Sequence, residues 1–83
     1  MKVKVKGVRC IHISGEYIKL DALLKFASLV STGGEAKNRI INGEVSVDRE
    51  ICNSRGKKIK PGNIVCIGTD VILVRKNNIA ENV

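Results

Sequence analysis

The sequence predicts an α+β fold in a single small domain, and three observations carry that expectation. Lysine and valine alternate with period two at the start of the chain, apolar residues recur at helical spacing in its middle, and short apolar runs return near its end. The 83 residues have room for one domain, taken as 1–83, without a second lobe or a large cofactor cradle. Hydrophobic residues at 43% and charged residues at 28% exclude wholesale disorder.

Each element follows from its own pattern. From Met1 to Ile13, Lys2, Lys4 and Lys6 oppose Val3 and Val5, as in a strand with one face in water; Gly7 interrupts it, and Val8 to Ile13 continue extended. Ser14-Gly15-Glu16 reads as a turn. Leu20, Leu23, Leu24 and Ala27 then form one stripe of a short amphipathic helix that ends near Ser28 to Val30. Asp21 lies in its first turn and Lys25 off the stripe. Ser31-Thr32-Gly33-Gly34 breaks the chain, and Thr32 with Glu35 matches a capping box for a second helix. Ala36 and Ile40 mark its buried face, and Gly43 is its natural C′ residue.

Glu44 to Val47 alternates again with both valines inward, Asp48-Arg49-Glu50 turns the chain, and Ile51-Cys52 begins a return. Pro61-Gly62 fits positions i+1 and i+2 of a type II turn. Ile64 to Ile67 and Val71 to Val74 read as two strands joined by Gly68-Thr69-Asp70, and 77–83 as a polar, frayed tail.

Charge is the most informative property. Fifteen Lys and Arg against eight Asp and Glu give a net +7, which favours a polyanionic partner such as nucleic acid or the ribosome. No apolar run approaches the roughly 20 residues of a membrane span, and the Lys-Val opening is not a signal-peptide h-region. The expected location is the cytoplasm. Cys10, Cys52 and Cys66 form no C-x-x-C pair and read as small buried hydrophobes. With His12 they make a poor zinc set, so no metal and no cofactor are expected. No P-loop, GxGxxG or HExxH is present, and no nucleophile pairs with His12, so the expectation is a non-enzymatic protein. One Tyr, one Phe and no Trp imply an aliphatic core, with base stacking not the main binding device.

Two segments carry the binding chemistry. Between Ile51 and Thr69 there is no acidic residue, yet Arg55, Lys57, Lys58 and Lys60 place four cations in six positions. Such charges repel unless an anion compensates them, and phosphates are the obvious candidates. The start of the second helix is the other segment. Ser31, Thr32, Gly33 and Gly34 offer hydroxyls and unhindered N–H groups at a positive dipole end, either as an anion seat or simply as a cap. Lys37 and Arg39 extend that face.

These pieces together resemble a known family. Tyr17-Ile-Lys-Leu-Asp-Ala-Leu-Leu-Lys25, Ser31-Thr-Gly-Gly-Glu-Ala-Lys37, Ile40-Ile-Asn-Gly-Glu-Val-Ser-Val47, Arg55-Gly-Lys-Lys58 and Pro61-Gly62 are similar, in order, to the S-four RNA-binding domain, or αL motif. Thr32 to Lys37 and Arg55 to Lys58 look most like its small stand-alone YaaA/YbcJ-like, ribosome-associated branch. The resemblance covers about residues 17–67. It implies two short helices packed on a small bent antiparallel sheet, with structured RNA, ribosomal or transfer, across the second helix, its preceding loop and the following hairpin. Carried over by position, the implied contacts are Lys19, Lys25, Thr32, Gly33, Lys37, Arg55, Lys57 and Lys58, to which charge adds Arg39 and Lys60. Lys19 stands where the family usually has Arg, Thr32-Gly33 where many members carry Arg, and Asp48-Arg49 where an Asn-Gly turn is common. The last change removes the glycine that a two-residue type I′ hairpin favours.

The expected function is therefore a monomeric RNA-binding protein acting on a ribosomal subunit or its precursor, with specificity from RNA shape. A transfer-RNA-binding or stalled-ribosome factor of the same fold is the alternative within that class; a basic protein-interaction module, and a thiol or metal enzyme built on the three cysteines and His12, are the readings from other classes.

Overall fold

A computed structural model describes residues 7–77, and the Lys2, Lys4 and Lys6 pattern and the tail beyond Asn77 lie outside them. The described residues form β1 (Gly7–Ile13), β2 (Ile18–Lys19), α1 (Leu20–Phe26), α2 (Gly33–Ile41), β3 (Val45–Val47), β4 (Glu50–Ile51), β5 (Lys58–Ile59), β6 (Ile64–Ile67) and β7 (Asp70–Lys76).

The α+β class with two short helices on one small sheet is the architecture that forms. Five strands lie in the order β1-β7-β6-β3-β4, and β2 and β5 pair separately. The sheet is mixed, which corrects the wholly antiparallel expectation. β1 runs parallel to β7, from Gly7 opposite Asp70 to Ile13 opposite Lys76, while the other neighbours are antiparallel. Parallel neighbours need a long crossover, and both helices and five intervening strands supply it. Asp70 belongs to β7 rather than to the preceding turn, leaving a two-residue Gly68-Thr69 hairpin loop. The two-residue β2 and β5 carry no period-two pattern of their own and were not legible as strands.

Leu20, Leu23, Leu24 and Ala27 of the first stripe pack with Ala36, Ile40, Val45, Val47, Ile59, Val65, Ile67, Ile72 and Val74 in one aliphatic cluster. Among the described residues no polar or charged side chain is buried. The other face of the sheet carries two mostly apolar rows: Cys10, Leu73 and Ile64 form one, and Val8, Val71, Cys66, Ser46 and Ile51 the next, with His12 opposite Arg75 as a polar pair beyond them. The cysteines depart from expectation, since Cys10 is exposed and Cys52 and Cys66 are half-buried.

Helix ends are built as their residues dictate. Thr32 caps α2, its Oγ1 accepting from the Glu35 N–H at 3.1 Å. Glu35 reaches one residue further back than the usual box, accepting from the Ser31 N–H at 2.8 Å. Both helices end in a Schellman arrangement. In α2 the Glu44 N–H donates to Arg39 O and the Gly43 N–H to Ile40 O, with Gly43 at φ +79°. In α1 the Leu29 N–H donates to Leu24 O and the Ser28 N–H to Lys25 O, and Ser28 holds φ +62° where glycine is usual. Ser28→Gly should therefore raise stability by about 1 kcal/mol, read as a higher urea midpoint at unchanged m-value.

Turn chemistry also sets the β3–β4 hairpin. Val47 faces Glu50, so Asp48 and Arg49 are its two loop residues, with φ +51° and +76° as a type I′ turn requires. Asp48 supplies a compensation that glycine lacks. Its Oδ1 accepts from the Ile64 N–H at 2.9 Å and its Oδ2 from Asn63 Nδ2 at 2.7 Å.

Candidate functional site

The basic loop is fixed to the first turn of α1. No side chain caps that helix; instead the Leu20 N–H donates to Lys57 O at 2.9 Å and the Asp21 N–H to Arg55 O at 3.1 Å. The orphan N–H groups of a helix start are thus satisfied by the backbone of the cation-bearing segment. Pairing of β2 with β5 sets Lys19 opposite Lys58 and buries Ile59 beneath them. Arg55, Lys57, Lys58, Lys60 and Lys19 are all exposed, so five cations share one anchored surface.

Further hydrogen bonds hold both ends of this loop. At its entry, Asn53 Nδ2 donates to Ile40 O at 3.3 Å, tying it to the last turn of α2. At its exit, the Lys60 N–H donates to Asn63 Oδ1 at 2.7 Å. Asn63 in turn donates to Asp48, so that carboxylate holds the hairpin to the loop. The Pro61-Gly62 turn closes with the Asn63 N–H on Lys60 O and Gly62 at φ +102°, as type II requires. Between loop and hairpin opens a cleft of about 820 Å³, lined by Gly56, Lys57, Lys58 and Lys60 and by Asp48, Glu50 and Ile51.

The remaining candidates separate into two places. Lys25, Thr32 and Gly33 are exposed, and Lys25 and Gly33 line a shallow cleft between α1 and the start of α2, together with Asp21 and Phe26. Because the Asp21 backbone binds the basic loop, this corner adjoins the loop surface. At the α2 start, Ser31 and Glu35 already use their N–H groups within the cap, and a Cβ on Gly33 would meet nothing within 4 Å. The Glu35 carboxylate itself sits at the positive end of the dipole, which weakens the anion-seat reading. Lys37 is exposed on α2. Arg39 is set apart: its Nε pairs with Glu44 at 2.8 Å, and its guanidinium lies beside Gly68 at the β6–β7 turn. That is the one ion pair among the described residues, so the other candidate cations have no acid partner there.

Three contributors escaped the sequence reading. Asn53 positions the loop without any charge to mark it. Tyr17 and Phe26 are 41% and 63% exposed, two surface rings in a chain whose scarce aromatics gave base stacking no main role. The signal was present for Phe26, which falls off the Leu20-Leu23-Leu24-Ala27 stripe. Lys58 Nζ stands 5.0 Å from the centre of the Tyr17 ring, within cation–π range.

Two comparisons with known proteins bear on this surface. A family model described as the S4 domain matches residues 11–75. A protein of Bacillus subtilis (strain 168), named as the probable ribosome maturation protein RlbA, is 40% identical over 55 residues, which are 66% of this chain and 78% of that protein.

Proposed function

The chain belongs to the S4 domain family, and from that premise we propose that it binds structured RNA, ribosomal RNA foremost, as a ribosome-associated or ribosome-assembly factor. The observation that carries this reading is the loop from Arg55 to Lys60, whose cations have no acid partner among the described residues and whose backbone is pinned to α1. Holding like charges together costs energy in the free protein, and that cost is relieved when phosphates arrive. Pre-organisation means little further ordering is needed on binding. The name of the Bacillus subtilis relative, a probable ribosome maturation protein, supports a ribosomal setting. Binding acts by contact and charge, with no catalytic step.

Lysines release counterions from the phosphates they meet, so affinity falls with salt. With Lys19, Arg55, Lys57, Lys58 and Lys60 each on one phosphate, log Kd against log salt should have a slope magnitude of about 3.5 to 4.5. Titration of a ribosomal RNA fragment from low to high salt measures it. A slope magnitude near one would contradict a surface built on these five cations.

A second reading, in which the protein also meets a protein partner, is favoured by the apolar outer rows of the sheet, where Val8, Ile51 and Ile64 are exposed. Ribonuclease treatment of a lysate separates the two: release from ribosomal particles indicates RNA contact, and retention indicates protein.

A further inference from the structure

The chain has two aromatic residues, one Tyr and one Phe, and an otherwise aliphatic composition. A small protein short of core volume would ordinarily bury such rings. Here both are outside the core, and both line one shallow cleft with His12, Ile13 and Ile18. Phe26 also lines the neighbouring cleft with Lys25 and Gly33, and Tyr17 carries Lys58 on its ring. The rings therefore bridge the two basic places described above, the Arg55–Lys60 loop and the corner between α1 and α2.

We propose that Tyr17 and Phe26 are stacking platforms for unpaired nucleotides, so that this protein engages single-stranded RNA next to a structured element. The inference rests on the RNA-binding reading above and adds its substrate class. Single-strand recognition combines a positively charged track for the backbone with aromatic faces for the bases. Here neighbours across the surface run cation, ring, ring, cation: Lys58 lies over Tyr17, Tyr17 and Phe26 share one cleft, and Phe26 and Lys25 share the next. Lys58 stands 5.0 Å from the Tyr17 ring centre and keeps its N–H donors for a phosphate. Phe26, at the last turn of a seven-residue helix, offers its ring to solvent beside the Gly33 backbone, where no side chain intrudes. An apolar protein partner is the competing occupant; the flanking cations Lys25 and Lys58 favour nucleotides.

The test compares two probes on the full chain: a labelled oligouridine about twelve nucleotides long and a blunt RNA duplex of similar length. Phe26→Leu and Tyr17→Leu should each weaken oligouridine binding about tenfold, as loss of one stacked base does, and leave duplex binding within about twofold. Phe26→Trp and Tyr17→Phe should retain it. Because Tyr17 is the one tyrosine and there is no Trp, intrinsic emission reports that ring alone and should be quenched by oligouridine. Equal losses on both probes, or none, would overturn the stacking role while leaving RNA binding in place. Wild-type binding to the duplex but not to oligouridine would do the same. No binding to either probe, with a protein crosslink from a photoreactive residue at 26, would overturn both readings.

Discussion

Leu24→Asp should leave this chain unfolded. Leu24 has no exposed surface and belongs to the single aliphatic cluster that the helices share with the strands. Losing the leucine side chain alone costs about 3–5 kcal/mol, and an unpaired carboxylate adds several more because no cation or free donor is buried nearby. Total stability at this length is about 4–12 kcal/mol, so the sum removes most or all of it. Circular dichroism should show no cooperative melt. Leu24→Met, which keeps volume and polarity, should lose less than about 1.5 kcal/mol. A folded Leu24→Asp protein would mean that the stripe of α1 does not face the core.

The double reversal Lys57→Glu with Lys58→Glu should act in the opposite way, removing binding and sparing the fold. Both side chains are exposed, and the bonds that anchor the loop come from backbone carbonyls and N–H groups that substitution leaves intact. Two fewer phosphate contacts lower the salt-slope magnitude by about 1.4–1.8, which at 0.1 M salt is about 25- to 60-fold in affinity before repulsion is added. Repulsion by the new carboxylates carries the loss to about 100-fold or beyond. The melting curve should move little, since relief of like-charge crowding offsets the lost contact of Lys58 with Tyr17. Unchanged affinity would remove the loop from the interface.

The sequence was most legible where a single local rule decides the structure. The stripe of α1, the Thr32 cap, Gly43 at φ +79° and Gly62 at φ +102° each follow from residue type and spacing. The parallel pairing of β1 with β7 was not legible, because it joins segments from opposite ends of the chain and no local pattern encodes direction. The Asp48-Arg49 turn adopts left-handed backbone without glycine because Asp48 bonds across to Ile64 and Asn63, contacts fifteen and sixteen residues away. Long-range bonds of this kind have no signature in composition.

The site divides along the same line. Four cations between Arg55 and Lys60 were visible as charge density, but their anchoring to Leu20 and Asp21 is a backbone matter that side-chain identity does not report. Arg39 looked equivalent to its neighbours until the turn after α2 brought Glu44 back against it. Phe26 was read by composition, as one scarce aromatic, when its phase on the helix already placed it outside.

The central claim is that this anchored cationic surface holds ribosomal RNA. Its most direct test is sedimentation of the tagged protein through sucrose gradients at low and high salt, with crosslinked RNA sequenced from each fraction. The account predicts salt-sensitive migration with one ribosomal subunit or its precursor and crosslinks concentrated at one ribosomal RNA site, both lost in the Lys57→Glu, Lys58→Glu protein. Migration at the top of the gradient with no enriched RNA, or enrichment of transfer RNA alone, would contradict it.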